Sequence, residues 1–203
     1  MAENKEQKML SRVRRKRTGP MKADDSWRKG LEEIFSKHGV EDFKWIDPKT
    51  IIVSPWVRMK CMFGCGEYGR TATCPPNVPS VDECRKFFLD YRHAVIFHFE
   101  KKVDNPEDCH AWTRRVNLGL VDLEREVFLS GRKKAFLLFM DSCTICAQCT
   151  GKRETCLDPR KARPTPEAMA MDVFSTVRRA GYPIKVLART DETMNRYAFL
   201  LVD

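Results

Sequence analysis

Apolar residues recur along this chain in two rhythms, one helical and one extended. In "DDSWRKGLEEIFSKHG" Trp27, Leu31, Ile34 and Phe35 fall three or four positions apart, which predicts an amphipathic helix that Gly39 can stop. A longer helix is predicted over "NPEDCHAWTRRVNLGLVDLEREVFLSG", with Cys109, Trp112, Val116, Leu120, Leu123 and Val127 along one face. "PSVDECRKFFLDY" predicts another, opened by a capping box in which the Ser80 hydroxyl and the Glu83 carboxylate satisfy backbone N–H groups. "PTPEAMAMDVFSTVRRAG" predicts a further helix, with Thr165 as N-cap, Pro166 in its first position and Gly181 near its end. Short runs rich in β-branched and aromatic residues, "TIIVSPW", "HAVIFHFE", "KAFLLFMD", "IKVLAR" and "RYAFLLVD", predict strands, the last two as an antiparallel pair.

Strands interleaved with helices point to an α/β or α+β fold: a mixed sheet with flanking helices and two cysteine-rich loops at strand-to-helix connections. Ile51–Phe99 and Ala135–Ala188 share a plan of strand, cysteine loop, proline-rich turn, capped helix and strand. An internal duplication and convergent loop chemistry both account for that plan.

Composition narrows the setting. A chain of 203 residues can bury a core without help from metal. Its longest apolar runs, "AFLLFM" and "YAFLLV", fall far short of the ~20 residues that span a bilayer. No apolar segment follows the charged N-terminus, so no secretory signal is expected. Nine cysteines, an odd number, then suggest a reducing, cytoplasmic setting in which clustered thiols serve metal or redox chemistry. The net charge of +9 is concentrated at the start: residues 1–22 hold eight Lys/Arg against Glu3 and Glu6. Residues 1–24 read as a disordered basic arm and residues 25–203 as one cysteine-rich domain. The arm could contact nucleic acid, anionic lipid or an acidic partner, or serve only solubility.

The cysteines carry the chemistry. In "DSCTICAQCTGKRETC" Cys143, Cys146 and Cys149 stand three apart, and Cys156 follows. A single zinc is usually gripped by one C-x-x-C pair and a second pair distant in sequence. Three thiolates wound by one loop instead suit a larger body, as in the tripod of ferredoxin-type 4Fe–4S cubanes. Cys156 follows after six residues where ferredoxins place the fourth cysteine after three, which leaves open whether it closes this cluster or ligates a neighbour. The upstream group, "CMFGCGEYGRTATCPP", supplies Cys61, Cys65 and Cys74 in a glycine-rich loop stiffened by Pro75 and Pro76. Its fourth ligand could be Cys84, a substrate or water, or nothing. Cys84 also sits on the apolar face of its helix, which suits a buried structural thiol. Cys109 reads as core.

Lys152, Arg153, Arg160, Lys161 and Arg163 surround the second group. They form either a docking face for an acidic electron carrier or an anionic substrate, or a solvated loop. His38, His93, His98 and His110 form no ligand spacing and read as structural.

These two cysteine groups, "CTICAQCTGKRETCLDPRKARPTPEAM" with its prolines, and the later "DVFSTVRRAGYPI" resemble a family of uncharacterised, cysteine-rich predicted metal-binding proteins of anaerobic bacteria and archaea. The resemblance spans roughly Lys44 to Val202 and implies metal or iron–sulfur binding without implying a reaction. Two functions compete. One is a redox protein with two 4Fe–4S clusters, the first with an open iron. The other is a zinc-stabilised module whose basic arm contacts nucleic acid. Salt-dependent nucleic-acid affinity would mark the second. The body has little excess charge and no exposed aromatic platform to support it.

Overall fold

The computed structural model of the protein describes residues 26–102, 106–189 and 192–203; the basic arm lies outside the described residues. In chain order the elements are α1 (Ser26–Lys37), β1 (Phe43–Ile46), α2 (Pro55–Gly64), α3 (Val81–Leu89), β2 (His93–Lys101), α4 (Pro106–Leu129), β3 (Phe136–Leu138), α5 (Val173–Arg179) and β4 (Met194–Val202). A short 3-10 turn covers Pro48–Thr50. The strands form one sheet in the order β1-β2-β4-β3, with every neighbouring pair antiparallel.

Alternation along the two central strands divides the core. Val95, Phe97, Ala198, Leu200 and Val202 face a layer made by Leu31 and Phe35 of α1 and Leu120, Leu123 and Val127 of α4. Ala94, Ile96, Phe199 and Leu201 point the other way, toward Cys84 and Phe88 of α3 and Val173 and Val177 of α5. Helices therefore cover both faces, which explains the unbroken apolar runs "AVIF" and "AFLLV" in strands that pair antiparallel. Each fully buried Leu, Ile or Phe here contributes about 1.5–3 kcal/mol.

Local sequence sets most helix ends as expected. The capping box of α3 is present: Ser80 Oγ accepts from the Glu83 amide, and Glu83 accepts from the Ser80 amide at 2.8 Å. Gly39, at φ 74°, follows α1 in the left-handed conformation that ends helices.

The structure corrects five expectations. "TIIVSPW" is not a strand; Val53 makes one bridge to Met171, and α2 begins at Pro55. Pro55 fixes the first helical φ and pushes Ser54 into extended backbone, so the proline starts a helix. The helix expected from Pro166 is interrupted: Ala170 has φ 58°, and α5 starts only after its N-cap Asp172, whose carboxylate accepts from the Ser175 amide at 3.0 Å. "IKVLAR" forms no strand, and β4 pairs instead with β2 and β3. The sheet is wholly antiparallel, and the first cysteine loop joins two helices, α2 and α3. The shared plan of the two segments therefore fails at the element entering the first loop, so the fold gives duplication no support.

Asp172→Ala is expected to lower the unfolding free energy by about 1 kcal/mol, read from the urea midpoint, with Asp172→Asn retaining most of it.

Candidate metal centres

Residues 140–163 leave β3 and return to it: the Phe139 amide donates to the Pro164 carbonyl at 2.9 Å, closing the base of the second cysteine loop. Inside the loop the chain has almost no regular structure, so its backbone groups depend on neighbours. Helix α4 supplies them. Arg114 donates to the carbonyls of Thr144 and Ile145, both at 3.0 Å. Asn117 Oδ1 accepts from the Met140 amide at 3.4 Å. Glu124 accepts from the Leu137 amide at 2.9 Å and holds Arg163 at 2.7 Å. Arg163 also donates to the carbonyls of Arg160 and Ala162.

The first loop is pinned in the same manner. Arg58 of α2 reaches the carbonyls of Pro79 and Ala168, both at 3.0 Å. Within the loop the Gly69 amide donates to the Pro75 carbonyl at 2.8 Å, and the Pro75–Pro76 peptide is cis.

The two loops touch. Asn77 Nδ2 bridges them, donating to Thr71 O at 3.0 Å and Gly151 O at 2.8 Å. The Ala72 amide donates to the Cys149 sulfur at 3.4 Å. Gly151, at φ 75°, lies so close that an added Cβ would meet the Gly69 carbonyl at 3.4 Å. Asn77→Ala is expected to loosen this seam by about 1–2 kcal/mol, seen as faster amide exchange in both cysteine loops with the sheet unchanged.

Seven of the nine cysteines divide into two groups. Cys61, Cys65 and Cys74 line a cavity of about 200 Å³ together with Glu67, Asp141, Glu167 and Arg196. Cys143, Cys146, Cys149 and Cys156 line a second space of about 10 Å³ against Ala72 and Ala162. None of the nine forms a disulfide. Among the described residues, no three Cys, His, Asp or Glu side chains make a group that could hold one metal ion.

Burial pushes the Cys61 thiol up, and repulsion from Cys65 and Glu167 adds to it against Arg58. Burial raises Cys74 as well, with Cys65, Cys61 and Glu67 adding to it. The Thr71 hydroxyl draws Cys74 down, although it lies outside ordinary hydrogen-bond geometry. Burial likewise raises Cys143, opposed by the backbone amides of Ile145 and Arg163. Desolvation and repulsion from Asp141 raise the Glu167 carboxyl, against hydrogen bonds from backbone and Thr165 and the charge of Arg196. Glu167 is nonetheless exposed as a residue.

Three buried hydroxyls beside the ligand positions, on Thr71, Thr73 and Thr144, lack hydrogen-bond partners, as does Arg196 Nε. Orphan donors around clustered thiols are the environment that anionic metal–thiolate groups require, because each N–H or O–H stabilises negative sulfur.

The remaining candidates lie elsewhere. Cys84 is fully buried on α3, its thiol against the Pro79 carbonyl and the Met169 sulfur, and it lines neither thiol cavity. Cys109 contacts the Met194 sulfur in the core. His38 bonds Glu126, and His98 bonds Asp42 and Asn195. Lys152, Arg153 and Arg160 are exposed, whereas Arg163 is spent on Glu124.

Sequence reading passed over Arg58, Asn77, Arg114, Asn117, Glu124, Glu167 and Arg196. Glu124 and Asn117 left a signal: each is a polar residue on the apolar face of α4, and they are 5% and 1% exposed.

Paired thiol-lined loops, each anchored to its own helix, mark a metal-binding protein. Residues 44–202 match the family described as predicted metal-binding protein (DUF2284), and the chain belongs to that family. No curated protein and no solved structure matches it. Among the described residues, no helix is long and apolar enough to cross a membrane.

Proposed function

We propose that the protein carries two 4Fe–4S clusters and passes electrons between them. Cys143, Cys146, Cys149 and Cys156 would hold one; Cys61, Cys65 and Cys74 would hold the other. The observation that carries this reading is the gathering of seven thiols, three and four, around two spaces whose loops are in contact. Each set lines one space, and three thiols closely spaced along the chain suit a polynuclear body such as the ferredoxin-type cubane. The second space is narrow, about 10 Å³, so its loop would have to open to take an eight-atom cubane.

Proximity supports transfer between the two. Cys74 is two residues from Ala72, whose amide touches Cys149, so its Cα lies at most about 7.6 Å from that of Ala72. The Ala72 N–H on the Cys149 sulfur would raise the potential of the second cluster, as hydrogen bonds to cluster sulfur do. The exposed cations Lys152, Arg153 and Arg160 would receive an acidic electron-carrier protein at that end.

The test is the EPR spectrum of oxygen-free, dithionite-reduced protein. Two neighbouring reduced clusters are expected to give a magnetically coupled signal that simplifies when one loop loses a cysteine. A spectrum with no iron–sulfur signal would end the proposal.

A further inference from the structure

The first centre has three thiols, Cys61 from the last turn of α2 and Cys65 and Cys74 from the loop that follows. A four-cornered donor set needs its last corner from the rest of the cavity wall, which Met140, Asp141, Ser142, Thr165, Glu167 and Arg196 help to form. Asp141 has one carboxylate oxygen engaged, since its Oδ1 accepts the Ser142 amide at 2.8 Å. Met140 and the two hydroxyls are neutral donors, weaker toward iron than a carboxylate. Glu167 is the other anionic donor on that side. Its backbone carbonyl stands 4.0 Å from the Cys61 sulfur, so the residue abuts the thiol group directly.

We infer that Glu167 is the fourth ligand of the first metal centre, a carboxylate at a solvent-exposed position from which an incoming small molecule can displace it. This rests on the two-cluster reading above. Two neighbours suit the role. Thr165, whose Oγ1 accepts from the Ala168 amide at 3.1 Å, stands in the same cavity wall two residues from Glu167. Arg196, with its Nε buried and unpartnered in the same cavity, offers a guanidinium to the carboxylate once displaced or to an anion that replaces it. Glu67 is the competing carboxylate. It belongs to the cysteine loop itself, two residues after Cys65, and so brings no donor from the far wall.

The experiment uses the full chain, purified without oxygen and reduced, with cyanide as the probe ligand and EPR of the first centre as the readout. Wild type, Glu167→Ala, Glu167→Cys and Glu67→Ala are compared. Glu167→Ala is expected to respond to cyanide at a concentration roughly tenfold lower than wild type. Glu167→Cys is expected to stop responding, because a fourth thiolate closes the site, and Glu67→Ala to titrate as wild type does. The inference is overturned if Glu167→Ala titrates like wild type, or if the shift follows Glu67. Iron and sulfide in the wild type separate the two failures. Their absence sinks both readings, whereas two intact clusters indifferent to Glu167 sink this one alone.

Discussion

Glu124→Ala is expected to lower the unfolding free energy by about 3 kcal/mol, the lower end of the range for breaking a buried ion pair. The lower end applies because Arg163 keeps 20% of its side chain exposed, while Glu124 keeps 7%. The loss has two parts. Arg163 would be left charged beside the core, and the Leu137 amide on edge strand β3 would lose its acceptor. The Phe139–Pro164 closure is within two residues of both points, so the second cysteine loop would loosen at its base. Glu124→Gln keeps an acceptor for Leu137 and is expected to cost about half as much. Urea unfolding followed by circular dichroism checks both variants, and an alanine variant within 1 kcal/mol of wild type would contradict the strut role.

Cys149→Ser is expected to weaken retention of the second centre by more than about a hundredfold, since even outer-shell changes cost 10–100-fold. Its effect would spread further than one ligand. Residues 140–163 have little backbone structure of their own, and cofactor binding in such a segment is also folding energy. Amides from Ser142 to Cys156 are expected to exchange rapidly in the variant, while β2 and β4, packed on both faces, stay protected. Ala72 would lose its sulfur acceptor, so the first loop should also exchange faster near residue 72. Unchanged iron content together with unchanged exchange would contradict the ligand assignment.

The sheet and its helices were legible where periodicity was long. Helix α4 is written in Leu120, Leu123 and Val127, and α3 in a capping box that formed as its residues dictate. Short apolar runs were less informative, because "IIVSPW" and "IKVLAR" look extended whatever they become. In the first, Pro55 decided for a helix. In the second, the expected partner was already taken, since β4 lies between β2 and β3. The three-plus-four division of thiols could be read from spacing, because close cysteines on one loop have little choice of direction. The contact between the loops could not. It depends on Asn77 meeting a glycine carbonyl 74 residues away, and nothing local marks such a pair. The same holds for Glu167, separated from Cys61 by 106 positions and joined to it only by the fold.

Both thiol groups are expected to hold iron with sulfide. Iron, zinc and acid-labile sulfide, counted per chain on protein isolated without oxygen, test it most directly. The expected result is about eight irons with about eight sulfides and negligible zinc, as two cubanes require. One or two zinc ions per chain without sulfide would contradict it.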